Sequence, residues 1–451
     1  MTVPIQLVTA VENLWRMTPP GPANLTKAPA FIKLTEVCGE IYGFPHADSA
    51  LSNALRSLGA PFNLPKDNRD RALDPELAAL KLHEAMTNQM VRRRHLCPLD
   101  LCDQLPSIRF GNSVVGEFSE PELAEFLDVA RLARFYPTYK PPVRQLAQFR
   151  WLVVEENVAV DPRPEARALP ILFVDLSQDF GEIDPHIGRF PPVVEAAIFF
   201  LLLAPWEDWA VYSEVNWRAF RLPWLHTVDD DLFVRPMAPP SPDTLSVQPD
   251  IAYDQYGDEV EIERPTVNNL EDEARTDFNQ LNESFWQSVL DARAGALFET
   301  PIVHFIVRAF LADGMDEVMA HMTAIEAGLG LEMDHRRGLR PKPDAHRNVS
   351  ASDRTAARLA ALLSDAATAV AYRELFELRS SFVHGRAGLA SLERQASRTE
   401  NGGGARSSIG DETRFACPCS QRPARSRGAT SVISLPSSAG RPSVKRRLQC
   451  L

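Results

Sequence analysis

The strongest constraint on the fold is the helical period of the apolar residues between about 268 and 390. Five of them recur every three or four positions, as on one face of an α-helix: Met315, Val318, Met322, Ile325 and Leu329. A similar stripe follows at 371–383, and the alternation typical of strands is almost absent. Because each stripe has to be buried against another element, the sequence predicts an all-α bundle over residues 268–390.

The stretches before the predicted bundle differ from it in pattern. Residues 1–95 carry amphipathic helical stripes broken by prolines, which predicts a mainly helical region. Residues 96–267 carry short apolar runs between Pro, Gly and Asp, such as Trp151–Val154 and Ile171–Val174, which are typical of a mixed α/β domain. The predicted fold class is therefore α+β with several domains.

The composition changes abruptly after about residue 390. Residues 391–451 contain eleven Lys and Arg against four Asp and Glu, with few large apolar residues. Such a segment cannot bury enough surface to order itself, so we expect a disordered basic tail. Two origins stay open for it: an ordinary disordered tail, or non-native coding sequence appended where the natural end was lost.

The net charge restricts the kinds of partner. A charge of −12 over 451 residues argues against a surface that adheres nonspecifically to nucleic acid or membranes. The longest apolar run, Ala196–Ala204, is far shorter than the roughly 20 residues that span a bilayer, and we interpret it as a buried strand or short core helix. With six cysteines and no signal-peptide pattern, we expect a cytoplasmic protein without membrane contact.

Two helices of the predicted bundle each carry one charge on the face that should pack. Glu326 lies within the apolar arc of the first helix, and Arg379 lies within that of the last. A buried charge is costly unless it is paired, so we expect the carboxylate and the guanidinium to meet in a bidentate or near-bidentate contact. Such a pair could serve only to fix the register of the helices, or it could orient Arg379 for function.

The end of the last helix resembles a known family. Arg379-Ser-Ser-Phe-Val-His384 has the Arg-x4-His form found near the end of HEPN domains, and Leu378–Gly385 looks particularly like the Apea-like HEPN family. Ala324–Gly330 and Arg354–Leu363 resemble that family's internal helices in order and spacing. The resemblance covers residues 270–390.

The resemblance implies a homodimer in which two such helices face a shared groove, with metal-independent RNA cleavage in the active members. Arg379 and His384 would then be catalytic, supported by Glu326 and Ser380. In cleaving members the residue after the arginine is often Asn, Asp or His, so Ser380 departs from the pattern. Family analogy alone suggests a conditional toxin or anti-phage effector, with residues 96–265 sensing or restraining it. The alternative is a noncatalytic module that binds RNA or protein through a bundle with a structural Glu–Arg pair.

The residue types fit this chemistry. A histidine with a pKa near 6.5 can move the proton of a 2′-hydroxyl or of the leaving oxygen, while an arginine can stabilise the charge that grows on the phosphoryl oxygens. Because RNA supplies its own nucleophile, the reaction needs no metal. One histidine cannot easily act on opposite sides of one phosphorus, and two helices across a dimer would supply two.

A basic loop offers further candidates for RNA contact. Residues 334–347 carry five basic residues against two acids, which could attract backbone phosphates: Arg336, Arg337, Arg340, Lys342 and Arg347. A solvated loop between helices would have a similar composition.

Other constellations do not support a metal or a cofactor. His95, Cys97 and Cys102 lack the spacing of a zinc site, and Asp229–Asp231 are explained more simply as a turn than as a cation site. No phosphate-binding or dinucleotide-binding glycine motif and no hydrolase elbow is present. We therefore predict no cofactor.

Overall fold

The computed structural model describes residues 2–19, 25–170, 190–212, 218–343 and 346–385. The predicted apolar run Ile171–Val174 and the predicted tail 391–451 lie outside the described residues. The described chain combines a β-sheet region with many helices, so the predicted α+β class is confirmed.

The chain divides into two compact units. The first is drawn from 1–102, 107–184 and 222–267, and the second from 103–106, 185–221 and the chain from 268 onward. The boundary predicted between residues 267 and 268 coincides with a boundary between the two units. The boundary predicted at residue 95 does not, because that residue lies inside the strand Met90–Leu99 of the first unit.

The first unit begins with four helices, which bury a shared apolar core. They are α1 (Ile5–Trp15), α2 (Pro29–Tyr42), α3 (Asp48–Leu58) and α4 (Pro75–Thr87). The start of α4 is capped by Asp74, whose carboxylate accepts a hydrogen bond from the Glu76 amide at 2.9 Å. Further along lie α5 (Glu120–Phe126), α6 (Val129–Phe135), α7 (Val143–Leu146) and α8 (Pro164–Ala168).

The sheet of the first unit is antiparallel and has the strand order β2-β3-β4-β1-β5. Its strands are β1 (Met90–Leu99), β2 (Ile108–Phe110), β3 (Ser113–Glu117), β4 (Arg150–Ala159) and β5 (His226–Asp229). Strands β1 and β4 pair along their full length, from Met90 opposite Ala159 to Leu99 opposite Arg150. A separate hairpin contains β6 (Val247–Tyr253) and β7 (Glu259–Pro265).

The second unit is helical in its described part. Its helices are α9 (Pro192–Leu201), α10 (Trp206–Trp209), α11 (Asp272–Asp277), α12 (Glu283–Arg293), α13 (Ile302–Leu311), α14 (Gly314–Leu329), α15 (Glu332–His335), α16 (Ala351–Leu363) and α17 (Ala367–Val383). The apolar run at 196–204 contributes to α9, which confirms the short core helix rather than the strand. None of the described helices is long and apolar enough to cross a membrane.

Helices α14, α16 and α17 pack around a small core made of the predicted stripes. Val318 and Met322 of α14 meet Ala356 and Leu359 of α16 and the fully buried Tyr372 of α17. Helix α17 ends where the sequence places Gly385, whose φ of 65° suits a residue without a side chain. The two predicted charges lie on α14 and α17, two of these three helices.

Candidate functional site

The predicted pair between Glu326 and Arg379 is present. Nη1 of Arg379 donates to both carboxylate oxygens of Glu326, at 2.9 and 3.1 Å, and so joins α17 to α14. The contact is not the usual bidentate one between two guanidinium nitrogens and two oxygens, because a single nitrogen donates to both carboxylate oxygens. It is also less buried than expected, since about a third of each side chain remains exposed. The charges therefore sit at the rim of the helical core.

Two of the three guanidinium nitrogens of Arg379 donate no hydrogen bond to the described residues. Nε and Nη2 make no hydrogen bond with the described residues, and the guanidinium lies 6.0 Å from the centre of the Phe376 ring. Glu326 thus holds one edge of the guanidinium, while the remaining N–H groups can bind an anion.

Tyr372 of α17 is fully buried near this pair. Burial raises the pKa of its phenol to about 12, and the negative charge of Glu326 acts in the same direction. Because Tyr372 stays neutral at physiological pH, it adds no charge to the site.

His384 lies at the end of α17. Its backbone amide donates to the Ser380 carbonyl at 3.0 Å, and its imidazole is exposed. Ser380 is half-buried. His384 follows Arg379 by five positions, which on an ideal helix corresponds to about 7.5 Å along the axis and about 140° around it. In the structure Arg379 lies in the last part of α17 and His384 is the residue that caps its end, and no hydrogen bond joins the two side chains.

The basic loop is fastened by interactions that the sequence analysis missed. Asp334 is buried, and its carboxylate accepts from Nη1 and Nη2 of Arg358 at 2.5 and 2.9 Å. Hydrogen bonds from Arg358 hold the pKa of the Asp334 carboxyl below its usual value. Arg358 also donates to the Leu329 carbonyl at 2.8 Å, which ties the loop to the end of α14, one turn after Glu326.

Arg340 has a structural place in this loop. It is buried, and its guanidinium donates to the Met333 carbonyl at 2.9 Å and to the Asp334 carbonyl at 2.6 Å. A third bond reaches the carbonyl of Arg347 at 3.4 Å. These contacts shape the loop and leave Arg340 poorly placed to bind phosphate.

The other four predicted cations of the loop are exposed. Arg336 forms an ion pair with the exposed Glu332 at 2.7 Å, whereas the charged groups of Arg337, Lys342 and Arg347 make no ion pair with the described residues. None of the four contacts Arg379 or His384 through a hydrogen bond. The loop offers cations close to the end of α14 and does not itself form part of the Arg379 contact.

The charge clusters of the first unit have structural explanations. His95 is buried and hydrogen-bonded to Thr227 and Glu156, at 2.9 and 3.0 Å, so it is committed within the sheet. Asp231 forms a buried ion pair with Arg167 at 2.6 Å and caps its own turn through the Phe233 amide. No group of three His, Cys, Asp or Glu residues among the described positions is arranged to hold a metal ion.

Comparisons with known proteins add no relative. The chain matches no known protein family, no curated protein and no solved structure.

Proposed function

We propose that residues 268–390 form an HEPN-like RNA-handling domain, and that Arg379 and His384 cleave RNA without a metal ion. The reaction is an attack of the 2′-hydroxyl on the adjacent phosphorus, which breaks the bond to the 5′-oxygen and leaves a 2′,3′-cyclic phosphate and a 5′-hydroxyl. His384 moves the proton at one of these oxygens, and Arg379 binds the phosphoryl oxygens.

The observation that carries the proposal is that Glu326 uses only some of the hydrogen-bond donors of Arg379. A purely structural pair gains most when the guanidinium is fully satisfied, whereas here Glu326 engages Nη1 alone and 28% of the arginine side chain is exposed. The carboxylate fixes the direction of the guanidinium and leaves Nε and Nη2 for a phosphate. Exposure of the neighbouring His384 supplies a group that can exchange protons with a ligand.

A homodimer through the end of α17 is part of the proposal. Arg379 and His384 leave one helix in directions about 140° apart, so two copies of α17 enclose a phosphodiester better than one. Phe382 and Val383 next to His384 are 39% and 56% exposed, and a partner helix would cover them. The pair of histidines would then supply a base and an acid.

The basic loop supports binding of the RNA backbone. Arg336, Arg337, Lys342 and Arg347 project from a loop whose start is fixed to α14 by Arg358, so they extend the positive surface beyond the catalytic pair. Arg340 takes part by shaping the loop. A role as a conditional toxin or anti-phage effector in the cytoplasm stays a proposal that rests on family analogy.

A noncatalytic module that binds RNA or protein is the second candidate. The observation that favours it is Ser380, which stands where cleaving HEPN proteins often carry Asn, Asp or His. In this reading the pair of Glu326 and Arg379 only fixes α14 against α17.

Incubation of the intact purified protein with end-labelled RNA in EDTA tests the proposal. We expect cleavage with 2′,3′-cyclic phosphate ends, reduced about 10²-fold or more in His384→Ala because general acid–base catalysis contributes this much. Arg379→Lys keeps the charge and loses the planar fork, so it should also be slow. The matched control is His46→Ala, which removes an exposed histidine of the first unit and should cleave at the wild-type rate.

The outcomes separate the two candidates. Cleavage that survives His384→Ala contradicts the ribonuclease. A folded dimeric wild type that binds RNA and never cuts it contradicts cleavage and supports the noncatalytic module.

A further inference from the structure

The hairpin of β6 and β7 presents an unusual face. Residues directly opposite one another in an antiparallel pair share a face, and the register places Pro249 opposite Glu263, Ile251 opposite Glu261 and Tyr253 opposite Glu259. One side of the hairpin therefore carries two parallel rows of side chains. The apolar row is Val247, Pro249, Ile251 and Tyr253, and the acidic row is Glu259, Glu261 and Glu263.

Both rows are open to solvent. Ile251 and Tyr253 are 57% and 69% exposed, and the three glutamates are exposed as well. None of the glutamates has an ion-pair partner among the described residues; the nearest polar contact is the Tyr253 hydroxyl, which donates to Glu259 at 3.3 Å. Three unneutralised like charges beside exposed apolar side chains are a feature of an interaction surface.

The hairpin is built to hold its shape. The Asp254 carboxylate accepts from the amides of Tyr256 and Asp258, at 2.8 and 3.0 Å, and Gly257 takes the positive φ of 87° that this turn requires. At the other end, the carboxylate of Asp100 accepts from the amide and the hydroxyl of Ser246, both at 2.9 Å. Both ends of the hairpin are thus held by hydrogen bonds, so the strands between them keep their register.

The outer edge of β7 is unpaired among the described strands. Strand β7 pairs with β6 alone, so its other edge presents backbone donors and acceptors. Two-stranded sheets are marginally stable in water, and a third strand is the usual way to complete them. A strand added to this edge would place every second side chain directly opposite a glutamate.

The charge of the surface selects its occupant. RNA and anionic lipid are repelled by the row of glutamates, and a second copy of this hairpin would set one row of carboxylates against another. We propose that the edge of β7 binds an extended polypeptide segment of a partner protein in which lysine or arginine alternates with apolar residues. The basic side chains pair with Glu259, Glu261 and Glu263, while the backbone adds a third strand to the hairpin.

The experiment uses the full chain and a fluorescein-labelled heptapeptide in which lysine alternates with valine and tyrosine. We expect saturable one-to-one binding in fluorescence anisotropy, with new hydrogen-exchange protection in β7. The triple variant Glu259→Gln, Glu261→Gln, Glu263→Gln should raise the Kd at least about tenfold, since it removes three cross-strand charge pairs. Methylation of alternate peptide nitrogens should weaken binding similarly, because it blocks strand addition and keeps the charges.

The charge-matched control is Glu76→Gln, Glu120→Gln, Glu271→Gln, which removes three exposed acids outside the hairpin. It should bind the peptide as the wild type does. Equal weakening in this control, wild-type binding by the hairpin variant, full binding of the methylated peptide, or protection of β7 by an RNA oligomer instead would each overturn the proposal.

Discussion

Replacing Glu326 with glutamine removes the charge that holds Arg379 and leaves a side chain of nearly the same size. Loss of one partner from a fully buried ion pair costs about 3–5 kcal/mol, whereas exposed pairs contribute about 0.2–1 kcal/mol. The side chains of Glu326 and Arg379 are 32% and 28% exposed, and one nitrogen carries the contact. Discounted for solvent screening, the expected loss is about 1–2 kcal/mol.

Native-state hydrogen exchange in α14 and α17 measures this loss locally. A decrease of 1–2 kcal/mol corresponds to exchange that is about 5- to 30-fold faster for amides that exchange through opening of this helix pair. The matched control is Glu374→Gln, which removes an exposed glutamate from α17, the helix of Arg379, and should change the opening free energy by less than about 0.5 kcal/mol.

A double-mutant cycle with Arg379→Met isolates the coupling between the two charges. We expect the double variant to lose less stability than the sum of the losses in the two single variants, because neither partner is left with an unpaired charge. Additive losses, or a Glu326→Gln effect no larger than that of the control, would refute the account of the pair.

Four further substitutions test the structure around the site and the first unit. Arg358 lowers the pKa of Asp334, so this carboxylate stabilises the fold above about pH 4, its ordinary pKa, and the benefit is lost as the pH falls through the lower folded value. Asp334→Asn should therefore cost about 2–3 kcal/mol at pH 7, and acid-unfolding curves that stay equally separated at pH 3 would contradict this. Arg340→Gln should speed proteolysis of the basic loop. Arg337→Gln should weaken RNA binding and leave the rate at which a protease cuts the loop unchanged. If the two variants behave identically in both assays, the distinction between a structural Arg340 and an RNA-binding Arg337 is wrong. Asp231→Asn leaves a buried guanidinium without its counter-charge, so it should lower the stability of the first unit by about 3 kcal/mol in urea unfolding, and a loss below 1 kcal/mol would show that the pair is not structural.

The pair of Glu326 and Arg379 could be predicted because each charge interrupts a clear apolar stripe. The helical period shows which face of each helix packs, and two opposite charges on packing faces are expected to pair because an unpaired buried charge is costly. The same reasoning applies to Arg358, which follows the buried Thr355 by three residues on α16 and so shares its face. Its partner Asp334 lies in the basic loop, and the sequence does not show that this loop folds back onto the helices.

Other features depend on contacts that a linear pattern does not contain. Arg340 looks like its neighbours Arg336 and Arg337 in the sequence, and only the path of the backbone turns three carbonyl oxygens toward its guanidinium. The grouping of the N-terminal helices with the sheet likewise arises from long-range pairing of β1 with β4 and β5. Local composition changes near residue 95 and says nothing about that pairing.

The most direct test of the central proposal is to locate RNA on the intact protein. Irradiation of a complex with 4-thiouridine-labelled RNA, followed by mapping of the cross-linked peptides, reports the residues that touch the bases and the adjoining backbone. We expect cross-links in the exposed part of the loop, residues 335–343, and at the end of α17, residues 379–385, with loss of the α17 cross-links in Arg379→Ala. Cross-links confined to the first unit, or a protein that binds no RNA, would contradict the assignment of an RNA site to α17.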